Sequence, residues 1–111
     1  MEVKVNMPKY VGLDVHKRTC HATVIDERGI VIKQKKFLNR PKELERFFDD
    51  IGNAKVAMEA GYSWQPVYER LESKGYEVKL AHPFKTRIIA DAKIKTDASD
   101  SEALAQLLKL D

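Results

Sequence analysis

Tyr10-Val11-Gly12-Leu13-Asp14-Val15 is the most strand-like run of the chain, and it holds a carboxylate between Leu13 and Val15. A buried, unpaired carboxylate costs several kcal/mol or more, so such a group must pair, protonate or bind a cation. Gly12 and Asp14 share one face of the strand by the period of two, and Gly12 leaves room beside the acid. The residues that join Asp14 are therefore the question, and the elements around it set which ones can.

Downstream, Thr19 to Ile25 reads as a second strand, rich in Thr, Val and Ile. Asp26-Glu27-Arg28-Gly29 is a turn signal with Gly at its end, as in a hairpin closed by a type I turn. Ile30 to Leu38 follows as a third strand, completing an antiparallel meander. Pro41 opens a helix in which Leu44, Phe47, Phe48 and Ile51 recur at helical spacing. Lys55 to Ala60 is a short strand whose Val-Ala-Met core suits burial on both faces. A helix over Ser63 to Ser73, a strand over Tyr76 to Ala81, a short helix over Phe84 to Ala92 and a final helix over Ala98 to Leu110 complete the pattern. The order β-β-β-α-β-α-β-α-α predicts an α/β fold, a mixed five-stranded sheet with helices on both faces. This is the element order of the ribonuclease-H-like fold, and in such sheets sites collect at the carboxyl ends of the parallel strands.

The chain has 111 residues, 43% hydrophobic and 33% charged, which fits one soluble domain with a single core. The expected division is a leader over residues 1–9 and one domain over residues 10–111. No apolar run is long enough to span a membrane, and Met1 to Lys9 lacks the apolar core of a secretory signal, so a cytoplasmic location is expected. The single cysteine, Cys20, excludes an intrachain disulfide. His16, Cys20 and His21 match no known ligand spacing, and Cys20 reads as a small hydrophobe in a strand. The net charge of +3 is mildly basic. Its distribution says more: Lys33, Lys35, Lys36, Arg40 and Lys42 cluster, as do Lys85, Arg87, Lys93 and Lys95. Each cluster suits phosphate contact or a solvated face.

Glu59 is the second misplaced acid, near the end of the fourth strand. If that strand lies beside the first, the two acids meet. Asp97 and Asp100 open the last helix and continue the stripe of Leu104, Leu107 and Leu108. Taken alone, the pair reads more readily as capping: Asp97 as an N-cap, Asp100 as a partner of the helix dipole, and Ser99-x-x-Glu102 as a capping box. Taken together, four anions cannot share a dry site without cations. Two Mg²⁺ ions roughly 3.5–4 Å apart would neutralise them and suit phosphodiester chemistry, one at the attacking oxygen and one at the leaving oxygen.

Tyr10 to Lys17, Glu59 with Ala60-Gly61, and Lys95-Thr96-Asp97-Ala98-Ser99-Asp100-Ser101-Glu102-Ala103-Leu104-Ala105 resemble the N-terminal domain of the Piv/MooV family, insertion-sequence transposases and DNA invertases with a DEDD tetrad. The resemblance runs over nearly the whole chain from Tyr10 onward. It implies the fold of RuvC-type Holliday-junction resolvases, with Asp14, Glu59, Asp97 and Asp100 as the catalytic acids that hold Mg²⁺ or Mn²⁺. It implies a metal-dependent transposase or recombinase that cleaves and transfers DNA strands when an insertion sequence moves. It also implies DNA as partner, a guide non-coding RNA as in relatives, and a homo-oligomer in the full-length protein. Full-length members carry a C-terminal domain with a nucleophilic serine, and that domain is expected to be missing here. The alternative is therefore a nucleic-acid-binding or assembly module, inactive without that domain. Lys17, Lys35, Lys36, Lys85, Arg87, Lys93 and Lys95 are the candidate nucleic-acid contacts. A sugar-kinase or actin-like ATPase half would need a Gly-rich phosphate loop where His16-Lys17-Arg18 stand. Trp64, Tyr62 and Tyr68 suit either base stacking or packing, and His82 either a phosphate contact or a loop.

Overall fold

The computed structural model describes residues 8–59, 64–81 and 97–110. The short helix expected over Phe84–Ala92 lies outside these residues, as do Tyr62, His82, Lys85, Arg87, Lys93 and Lys95. The elements are β1 (Lys9–Val15), β2 (Thr19–Ile25), β3 (Val31–Leu38), α1 (Pro41–Asp49), β4 (Ala54–Glu59), α2 (Trp64–Ser73), β5 (Glu77–Ala81) and α3 (Asp97–Leu110). These lie within a residue or two of the bounds read from periodicity, the end of α1 included. That helix stops at Asp49, although the apolar stripe continues to the buried Ile51.

The hairpin between β2 and β3 shows how sequence sets local structure. The Asp26 carboxylate accepts the backbone N–H groups of Arg28 (2.9 Å) and Ile30 (3.0 Å). Those two bonds hold the Asp26 carboxyl below its ordinary range, with the Arg28 charge assisting. Gly29 takes φ +83°, a left-handed conformation that a side chain would strain. Pro41 stands in the first turn of α1 with Arg40 as the N-cap residue, and no side chain caps that end.

The strand order is β3-β2-β1-β4-β5. β1 pairs antiparallel with β2 and parallel with β4, which in turn pairs parallel with β5. An antiparallel meander joined to parallel crossovers is the arrangement expected of a ribonuclease-H-like sheet. Its two faces are covered unequally. Val11, Leu13, Cys20, Ala22, Val24, Val56 and Met58 turn to one face and pack with Leu44, Phe47, Phe48, Val67 and Leu71 of α1 and α2. Phe47 stacks on Phe37 with ring centres 5.2 Å apart and meets Phe48 edge-on at 5.3 Å. Ala57, Leu104 and Leu108 form a smaller cluster with Tyr10 and Ala81 on the other face, under α3.

Gly12 decides how closely α3 approaches. A Cβ placed there would meet the Ser101 carbonyl oxygen, lie 2.5 Å from the Ala105 nitrogen and 2.9 Å from the Leu104 Cβ. Beside it, the buried hydroxyls of Thr23 and Ser101 share a hydrogen bond of 2.6 Å, and Gln34 Nε2 donates to Thr23 at 3.0 Å. Thr23→Val keeps the shape and removes this junction, so it is expected to cost about 1–2 kcal/mol. Urea unfolding would measure it, and an unchanged midpoint would mean that the bond contributes nothing to holding α3.

Candidate active site

Asp14 lies two residues beyond Gly12 on the face that α3 covers, and its side chain is 16% exposed. β1 and β4 run parallel, with Gly12 opposite Ala57 and Leu13 opposite Met58. One step further along both strands stand Asp14 and Glu59. Neighbours at matched register on adjacent strands, about 4.8 Å apart, present their side chains to the same face. The strand order on which the sequence made their meeting conditional is therefore present.

The direction of α3 follows from its contacts. Ser101 lies against Gly12 and Thr23, a matched pair in β1 and β2. Gln106 Nε2 donates to the Gly29 carbonyl at 3.0 Å, in the turn at the opposite end of the sheet from Asp14. The helix thus runs against β1, and its first turn, Asp97 to Asp100, lies toward the carboxyl ends of β1 and β4. From Ser101 back to Asp97 the helix rises about 6 Å. From Gly12 forward to Asp14 the strand advances about 6.6 Å. The first turn and the strand acids therefore share one end of the molecule. The side chains of Asp97 and Asp100 lie outside the described residues. Among the described residues, no group of three or more His, Cys, Asp or Glu side chains is arranged to hold a metal ion.

The flanks of Asp14 are specific. His16 Nε2 lies 2.9 Å from Asp14 Oδ2 across the end of the strand. In the register of the sheet, Asp14 stands opposite His21, and His21 opposite Lys36. Lys36, His21, Asp14 and Glu59 thus form one row across four strands on the α3 face. Cys20 does not join it: it belongs to the core on the other face. Burial, then the Asp14 charge, pushes its thiol up to about 12. The trio His16, Cys20 and His21 is divided between two faces of the sheet.

The candidate nucleic-acid contacts divide as well. Lys36 shares the Asp14 face, whereas Lys35 stands opposite Ala22 on the other face. Lys33 belongs to the fold: its Nζ lies 4.5 Å from the centre of the Phe47 ring and 3.6 Å from an Asp50 carboxylate oxygen. Lys17 is exposed in the β1–β2 turn, next to His16. Trp64 meets Tyr68 edge-on at 5.6 Å, and both pack on the core, which favours packing over base stacking. Reading along the chain missed Arg70 of α2, which comes beside Lys17 and Arg40 only in three dimensions. No local signal marks it. No helix among the described residues is long and apolar enough to cross a membrane.

Comparisons with known proteins agree with the motif. A family model of transposases of the IS110 DEDD type matches residues 11–111. The transposase of insertion sequence element IS1533 from Leptospira borgpetersenii is 29% identical over 105 residues, which is 90% of this chain and 30% of that protein. The chain thus spans about 30% of the length of this curated relative. Among solved structures, a ROK family glucokinase from Streptomyces griseus, in complex with glucose and AMPPNP, matches 79% of this chain and 37% of its own, with a TM-score of 0.49 at 15% identity. A ROK hexokinase from Thermus thermophilus matches 81% of this chain and 39% of its own, with the same TM-score and identity. Likeness of that size says nothing of what the chain binds. The family match covers the Asp14, Glu59 and Asp97–Asp100 segments together, and the resemblance read from them is borne out: the chain belongs to the IS110-type DEDD transposase family.

Proposed function

We propose that this domain is the metal-dependent DNA-cleaving part of an insertion-sequence transposase. The observation that carries the reading is the matched register of Asp14 and Glu59 at the carboxyl ends of two parallel strands, with the first turn of α3 directed to the same end. Their carboxylates are hard oxygen donors, and Asp14 is partly withdrawn from water, which fits Mg²⁺ or Mn²⁺ and not a soft thiolate site. Asp14 and Glu59, with Asp97 and Asp100, would hold the ions. When bound, they would supply charge neutralisation and activation for phosphodiester cleavage. His16 would orient the Asp14 carboxylate through their contact. Lys36 would draw the DNA backbone toward the same face. The partner is DNA, handled by a homo-oligomer of the full-length protein in the cytoplasm, and an RNA guide is compatible with the same basic surfaces.

The exposed Lys17 and Lys36 around Asp14 favour a second reading, a DNA-binding or assembly module that needs further protein to act. Strand cleavage in Mg²⁺ or Mn²⁺ by the protein carrying this domain separates the two. Asp14→Asn and Glu59→Gln should each lose cleavage while still binding DNA. Wild-type cleavage by Asp14→Asn would reject the first reading. A wild-type chain that binds DNA, takes up no metal and cleaves nothing would select the second.

A further inference from the structure

At the same end of the sheet, on the face away from α3, a cavity of about 340 Å³ is lined by Lys17, Asn39, Arg40, Pro41, Leu44, Pro66, Val67 and Arg70. Its cations come from three separate elements: Lys17 from the β1–β2 turn, Arg40 from the start of α1, and Arg70 from α2. No acidic side chain lines it. Two acids stand nearby: Glu45, whose Oε1 lies 3.4 Å from Arg70 Nη1 and 3.4 Å from Lys74 Nζ, and Glu43 in the first turn of α1, which is paired with Arg46 at 3.1 Å. A guanidinium has five donors, so the Glu45 contact leaves most of Arg70 for another acceptor. The wall is also the uncapped N-terminus of α1, where N–H groups and the helix dipole favour an anion. Pro41, Leu44, Pro66 and Val67 add apolar surface of the kind that a sugar can lie against.

We infer that this cavity holds a backbone phosphate of the DNA strand, one that is not itself cleaved. The inference rests on the DNA-cleaving reading above and deepens it. Asn39 Nδ2 donates to the His16 carbonyl at 2.9 Å, so the cavity wall is tied to the residue that touches Asp14. A strand anchored in the cavity and crossing the carboxyl edge of the sheet therefore reaches the acids on the other face with a fixed register. Phosphate contacts position, and the acids act on the phosphodiester so positioned.

The test is equilibrium binding of the chain to a labelled DNA duplex over a range of salt concentrations. Each phosphate contact adds about 0.9 to the slope of log affinity against log salt for duplex DNA, worth roughly fivefold to tenfold in affinity near 0.1 M salt. Lys17→Ala with Arg40→Ala should lower the slope by one to two such contacts and the affinity by roughly tenfold or more, with the unfolding midpoint unchanged because both side chains are exposed. Lys42→Ala, exposed in α1 but outside the cavity lining, should leave the slope as it is. Equal losses in both variants would mean a diffuse basic surface and overturn the inference. No loss in the double variant would also overturn it, leaving DNA binding intact. Losses confined to an RNA duplex would overturn the assignment to DNA. A wild-type chain that binds no DNA at all would instead reject the functional reading beneath it.

Discussion

Gly12→Ala is expected to cost about 3 kcal/mol and to lower the unfolding midpoint by roughly 10–20 °C. The reason is the identity of the neighbours. A Cβ at Gly12 meets the Ser101 carbonyl and the Ala105 nitrogen, backbone atoms that cannot rotate away, before it meets the Leu104 side chain. Relief requires α3 to move as a body, and α3 is held by Leu104 and Leu108 in the small cluster and by Ser101 on Thr23. The helix therefore lifts, and its first turn leaves the end of the sheet where Asp14 and Glu59 stand. Two consequences are expected together: lower stability by calorimetry or urea, and weaker divalent-metal binding. An alanine variant with native stability would mean that α3 does not sit on β1 as described.

The second large effect concerns the metal itself. If Asp14, Glu59 and the first turn of α3 hold Mg²⁺ or Mn²⁺, the ion binds the folded chain and not the unfolded one. At a hundred times its dissociation constant, such a ligand raises the unfolding free energy by about 2.7 kcal/mol. Asp14→Asn should abolish most of that gain, because it removes a negative charge from the row that Asp14 forms with Glu59 at the end of the parallel strands. Without metal the two proteins should differ little. Thermal unfolding of both, with and without Mn²⁺, is the measurement. An equal metal-dependent shift in the two would place the binding site elsewhere.

Legibility in the sequence followed the range of the forces. Strands and helices came from periodicity and turn chemistry, which act over a few residues: Asp26 and Gly29 close the hairpin, Pro41 opens α1, and Leu44, Phe47 and Phe48 mark its inner face. Asp14 also stood out locally, as an acid among apolar neighbours, and the Lys95–Ala105 motif carried the family. The basic residues were less legible, because charge clusters in sequence do not map onto clusters in space. Lys33 is absorbed by Phe47 and Asp50, and Lys35 and Lys36 fall on opposite faces because the side-chain period of a strand is two. Arg70 was invisible beside Lys17 and Arg40, since its neighbours come from turns more than twenty residues away.

By itself, then, the order of residues determined the elements, the oddity of Asp14 and the transposase family, since each depends on local pattern or on a motif. Only the tertiary structure decided that β4 lies parallel beside β1, so that Glu59 and Asp14 stand at the same end of neighbouring strands. It also decided that α3 runs against β1 with its first turn toward both acids, and that three cations converge on one cavity at the other face. Those outcomes depend on how the crossovers turn and on which sheet face each helix buries. The absence of a side chain at Gly12 sets the placement of α3, because it lets the α3 backbone press against β1.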